Sequence, residues 1–73
     1  MRVVIQRQVL EFELEASCSN SWFVYIAGYS HSSFIGNIYK EDGAYCFNAN
    51  SIYGRGYNSK TTALKAMYIA WQG

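Results

Sequence analysis

Proline is absent from these 73 residues, histidine occurs once, cysteine twice, and six Lys+Arg against five Asp+Glu leave a formal charge of only +1. Each shortage removes a class of behaviour. Without proline, every turn must be built from Gly, Asn, Asp or Ser, the other residues that tolerate tight backbone reversals. A single His and no C-x-x-C spacing leave nothing from which to assemble a zinc site. Cys18 and Cys46 read as free thiols, because the opening sixteen residues do not form a secretory signal: Gln6, Arg7, Gln8 and three glutamates interrupt any apolar run. No stretch approaches the roughly 18 apolar residues of a membrane span. The expectation is therefore a cytoplasmic protein that meets no membrane. Near-neutral charge with no Lys/Arg stripe argues against sequence-blind attraction to a nucleic acid. His31, in YSHSS, has no second acid, base or nucleophile placed near it by a recognisable spacing, so no enzyme and no cofactor are expected.

What the chain has in quantity is aromatic: seven Tyr, four Phe and two Trp. Seventy-three residues make one small domain, which buries only about 60% of the surface that its unfolded form exposes. A core of that size supplies roughly 3–5 kcal/mol, so burying further surface against a copy of itself or a partner is a natural remedy.

Residues 10–15 alternate Leu10, Phe12, Leu14 with Glu11, Glu13, Glu15, the period of a half-buried strand. Glu, Leu and Ala are also good helix formers, so residues 2–15 remain open between strand and helix. SCSNS (17–21) reads as a turn. WFVYIAG follows as a strand, with Trp22, Val24 and Ile26 on one face and Phe23 and Tyr25 on the other. In FIGNIYKEDGAYCFNAN, Asp42-Gly43 is the preferred pair for a two-residue type I′ hairpin, in which both positions need positive φ. That turn pairs Lys40 with Tyr45, Tyr39 with Cys46, Ile38 with Phe47, Asn37 with Asn48 and Gly36 with Ala49. Strict alternation then assigns Phe34, Gly36, Ile38, Phe47 and Ala49 to the core face. Asn37, Tyr39, Cys46 and Asn48 fall on the opposite one.

The last element runs from about Ser59 to Gln72 as a helix capped by Asn58 or Ser59. Ala63, Leu64, Met67, Ala70 and Trp71 occupy its apolar stripe, with Thr61, Lys65, Tyr68 and Gln72 opposite. The expected fold is thus α+β: a three- or four-stranded antiparallel meander with one C-terminal helix packed on one face.

Just before that helix, GRGYNSKT (54–61) is one residue short of the phosphate-loop pattern G-x-x-x-x-G-K-[ST], with Ser59 where the second glycine belongs. Too little chain follows to return the parallel strand that such a loop requires. The stretch reads instead as a glycine bend into a helix cap. Gly54, Arg55, Gly56 and Lys60 are kept as a candidate anion site.

The run Ile38 to Met67 resembles the YegP-like family of small uncharacterised bacterial proteins. The matching residues are Tyr39, Lys40, Asp42, Gly43, Tyr45, Phe47, Gly54, Tyr57, Ser59, Lys60, Ala63 and Met67. The resemblance implies a sheet with one helix across it and supplies no catalytic residue. This chain adds an amino-terminal segment and has a shorter connection between Asn50 and Gly54, where family members carry a further strand.

The candidate interaction surface is the second sheet face, with Phe23, Tyr25, Asn37, Tyr39 and Asn48. Tyrosines suit protein interfaces, and an uncovered aromatic face suits a homo-oligomer or a protein partner unless the amino-terminal segment hides it. The alternative is a nucleic-acid-binding domain, with the same face stacking on bases and Arg55 and Lys60 meeting phosphate.

Overall fold

A computed structural model describes residues 1–27 and 33–72. Six strands run in sequence order, β1 (Arg2–Ile5), β2 (Gln8–Cys18), β3 (Ser21–Ile26), β4 (Ser33–Glu41), β5 (Ala44–Ala49) and β6 (Ile52–Tyr57), before helix α1 (Lys60–Gln72). They form one antiparallel sheet in the order β1-β2-β3-β4-β5-β6. The expected sheet-and-helix architecture is present, with six strands where three or four were expected.

The two extra strands arise from hairpins with unusual turn residues. Ile5 pairs with Gln8 and Ala49 with Ile52, so Gln6-Arg7 and Asn50-Ser51 are two-residue loops. In both, the two central residues have positive φ, between 50° and 65°, as do Asp42 (53°) and Gly43 (81°). All three loops thus share the backbone twist that matches the strands. Only Asp42-Gly43 uses two residues that favour it; Asn50 tolerates it, whereas Ser51, Gln6 and Arg7 do not favour it. The opening segment is consequently a hairpin, not one strand or a helix. Gly54 and Gly56 lie inside a strand, not in a bend approaching the helix.

One face of the sheet packs on α1. Val3, Ile5, Phe12, Val24, Ile26, Ile35, Ile38, Phe47 and Ala49 meet Ala63, Leu64, Met67 and Tyr68 in a single buried cluster. A helix is about 10 Å across and six strands at about 4.8 Å spacing are more than twice as wide. Yet α1 touches β1 as well as β4, β5 and β6, and Tyr68 packs edge-on against Phe12 of β2 at 5.8 Å. The sheet must therefore curl around the helix. That curl buries a wider helical stripe than the sequence pattern suggests. Tyr68, expected on the opposite face, is 4% exposed, and its hydroxyl accepts a hydrogen bond from Gln72 Nε2 at 3.1 Å.

Ser59 is the N-cap: its Oγ accepts the Thr62 N–H at 3.1 Å, satisfying one of the donors that a helix start leaves unpaired. Asn50 Nδ2 donates to the Trp71 carbonyl at 3.1 Å, tying the β5–β6 turn to the far end of the helix. Among the described residues, no buried side-chain N or O lacks a partner.

Candidate interaction face

The Asp42-Gly43 hairpin pairs Asn37 with Asn48, Ile38 with Phe47, Tyr39 with Cys46 and Lys40 with Tyr45, as its turn type demands. The alternation does not survive to the start of β4. Val24 pairs with Gly36 and Tyr25 with Phe34, so Ile35 is an extra residue on β4, a β-bulge. Beyond it the faces exchange. Ile35 is 3% exposed and enters the core, whereas Phe34, expected in the core, is 55% exposed on the other side. Gly36 makes the bulge feasible. Its φ is +152°, and a side chain there would collide with the Asn48 carbonyl and crowd Ala49. The small residues expected to admit another element instead admit the neighbouring strand's own backbone.

The face turned away from α1 is organised in rows. Glu15, Phe23, Asn37, Asn48 and Tyr53 are successive cross-strand partners from β2 to β6. Glu13, Tyr25 and Phe34 form the next row, and Ser21, Tyr39 and Cys46 lie on the other side. All five expected interaction residues therefore share one surface, and Phe34 and Tyr53 join them. Phe34 packs edge-on against Tyr25 at 5.5 Å and Phe23 at 6.1 Å between ring centroids, a three-ring cluster spanning β3 and β4. Phe23 is 39% exposed and Tyr53 70%. Tyr25, Asn37, Tyr39 and Asn48 are half-buried by their neighbours, and Cys46 is buried between them. Phe34 was missed because a bulge has no reliable sequence signal beyond the glycine beside it.

Charge on this surface lies mainly on β2 and β6, with Glu41 exposed at the hairpin end of β4. Glu11, Glu13 and Glu15 are exposed along β2. The Glu11 carboxylate accepts hydrogen bonds from the Met1 ammonium at 3.0 Å and Arg2 Nε at 3.4 Å. The ammonium above all, and then Arg2, hold its carboxyl below the usual carboxylate range. On the opposite flank, Arg55 is exposed two residues beyond Tyr53 on β6. There β6 carries one more residue than β5, since Phe47 pairs with Gly54 and Tyr45 with Tyr57, and Gly56 takes a φ of 83°.

The candidate anion residues are not gathered. Gly54 lies against the Phe47 ring, which a side chain at that position would strike, so its role is packing. Lys60 sits at the first turn of α1 with Nζ 4.0 Å from the centre of the Trp22 ring, a cation–π contact on the helix side of the sheet. Trp22 in turn packs on Tyr45, beneath Lys40. Arg55 and Lys60 therefore stand on opposite sides of the sheet.

Among the described residues, no cluster of three His, Cys, Asp or Glu could hold a metal ion, and no helix is long and apolar enough to cross a membrane. His31 lies outside the described residues. Comparison with known proteins adds nothing to these residues: no family model, no curated protein and no solved structure matches the chain.

Proposed function

We propose that this chain is a small, non-enzymatic interaction domain that docks through the outer face of its sheet, onto a copy of itself or onto a protein partner. The carrying observation is the Phe23–Tyr25–Phe34 cluster on the face that α1 leaves uncovered, with Phe34 more than half exposed. Apolar surface buried against a partner is worth about 25 cal/mol per Å² before the costs of association are subtracted. Aromatic rings deliver that area with few rotatable bonds to freeze, which is why such residues anchor interfaces.

The polar residues fit the same reading. Asn37 and Asn48 are cross-strand neighbours in the middle of the surface, where amides give directional hydrogen bonds without the desolvation penalty of a charge. The glutamates of β2 would repel a phosphate backbone, and the Lys60 ammonium is engaged on the other side of the sheet.

Phe34→Asp tests the proposal, since it places a charge at the centre of the cluster on a side chain that contributes little to the core. Sedimentation of the wild-type protein at two concentrations, and capture of partners on immobilised protein, should each show association that the variant loses. A variant that associates as the wild type does would refute the docking role. Binding to a single-stranded oligonucleotide that falls by orders of magnitude between about 50 and 200 mM salt, and is lost in Phe34→Asp, would assign the face to nucleic acid instead.

A further inference from the structure

Resting on the outer face as a docking surface, we propose that its occupant is a second copy of this chain, packed about a two-fold axis running along β4, so that Glu15 of each protomer meets the partner's Arg55. The argument begins with symmetry. In a two-fold interface the same patch serves both sides, so it must complement itself. A patch with charge of one sign at its centre cannot do so. In the rows from Phe34 to Tyr39 this surface has uncharged aromatic and amide groups on β3, β4 and β5, acid on β2 and Arg55 on β6, while Glu41, exposed at the hairpin end of β4, lies beyond those rows.

Strand order supplies the axis. β4 is the middle of the five strands from β2 to β6. Rotation about a line along β4 lays β2 of one protomer over β6 of its partner, β3 over β5, and β4 over itself. Acid then faces base at both flanks. The row that begins at Glu15 ends at Tyr53, two residues before Arg55, which makes Glu15 the nearest carboxylate on that flank. An axis perpendicular to the strands would instead set β2 against β2 and glutamate against glutamate. Asn37, central in the row, falls on the axis, where two carboxamides can exchange donor and acceptor. A net charge of +1 puts no general repulsion between copies.

Shape sets the strength. The sheet curls around α1, so its outer face is convex, and two such faces meet closely along β3, β4 and β5 while the flanks diverge. Long Glu and Arg side chains suit a widening gap. Five strands at about 4.8 Å and five residues at about 3.3 Å give roughly 400 Å² of projected face per protomer. That is about half the area each partner gives to a standard interface, and it fits only a transient dimer, dissociating at about 10–100 µM.

A charge exchange provides the test. Arg55→Glu and Glu15→Arg each put like charges together at both symmetric contacts, whereas an equal mixture of the two variants can form a heterodimer with opposite charges at both. Sedimentation equilibrium should show each variant alone dissociating about tenfold more readily than wild type, and the mixture returning to within about threefold of it. Both residues are exposed, and circular dichroism checks that each variant is folded; Arg55→Asp and Glu15→Lys serve as second variants. Wild-type protein that remains monomeric to about 1 mM would overturn the second copy as occupant. Self-association that Phe34→Asp abolishes, but the charge variants leave unchanged, would overturn the two-fold arrangement while leaving the docking face intact.

Discussion

The bulge at Ile35 makes a prediction that regular alternation reverses. Were β4 to alternate from Ile38 back to Phe34, Phe34 would be a core residue and Ile35 a surface one. In the structure Ile35 is 3% exposed and Phe34 55%. Ile35→Ala removes three buried carbons, worth about 2.4 kcal/mol at about 0.8 kcal/mol each, before any cavity is counted. The cavity term brings the expected loss to about 3–4 kcal/mol, within the range for such truncations. Phe34→Ala gives up part of a half-exposed ring and its edge contacts with Phe23 and Tyr25, about 1 to 1.5 kcal/mol together. The two costs should differ by roughly 2 kcal/mol in favour of Ile35 as the structural residue. Urea denaturation followed by tryptophan fluorescence measures both, at protein concentrations low enough to keep the chain monomeric. Because a domain of this size has only a few kcal/mol to lose, Ile35→Val, expected to cost about 1 kcal/mol, gives a milder reading of the same site. If Phe34→Ala proves costlier than Ile35→Ala, the bulge and the face built on it are wrong.

Three further outcomes follow from named contacts. Gly36→Ala should lower stability by about 3 kcal/mol or abolish folding, since it combines strain at positive φ with a collision against the Asn48 carbonyl; a change under about 1 kcal/mol in the urea midpoint analysis would contradict that geometry. Ser59→Ala should cost about 1 kcal/mol through loss of the N-cap, with Thr62 amide exchange accelerated as its local signature. Glu11, whose carboxyl is held below its ordinary value of 4.5, contributes stability that is present above that value and is lost as pH falls through the depressed one. Glu11→Gln should therefore flatten the acid limb of the stability profile, and an unchanged limb would show that the pair with the Met1 ammonium has no weight in solution.

How much of this could be read from residues alone depended on turn chemistry. Asp42-Gly43 announced its hairpin and fixed four cross-strand pairs, because a two-residue loop with both φ values positive strongly favours such residues. Asn50-Ser51 and Gln6-Arg7 adopt the same conformation without glycine. Left-handed conformations cost a non-glycine residue roughly 1–2 kcal/mol, so strand pairing and core burial must impose these turns. Val3 and Ile5 supply that drive at one edge by entering the core. At the other edge the compensating contacts are Tyr57 on Phe47, with ring centroids 5.8 Å apart, and Asn50 on the helix end. The helix was legible from its spacing and cap. Tyr68 was not, because the width of a buried stripe depends on the curvature of what surrounds it. The residues of the outer face were legible wherever alternation held, on β3 and along the β4–β5 hairpin, and Phe34 was lost where it broke.

That one break does much to determine what the outer face can do. Without the extra residue, Phe34 would point towards α1 and Ile35 would take its place outside. The outer face would keep Phe23 and Tyr25 but lose the ring that packs on both. Burying the larger Phe34 where Ile35 sits would also be costly, since overpacking strains neighbouring side chains. The bulge resolves both conflicts: the smaller Ile35 fills the core beside Val24 and Ile38, and the larger ring is left outside, where the helix cannot cover it. A domain this small gives up stability when it leaves a phenylalanine half exposed beside two other rings. Burial of the ring in the proposed complex would return that stability.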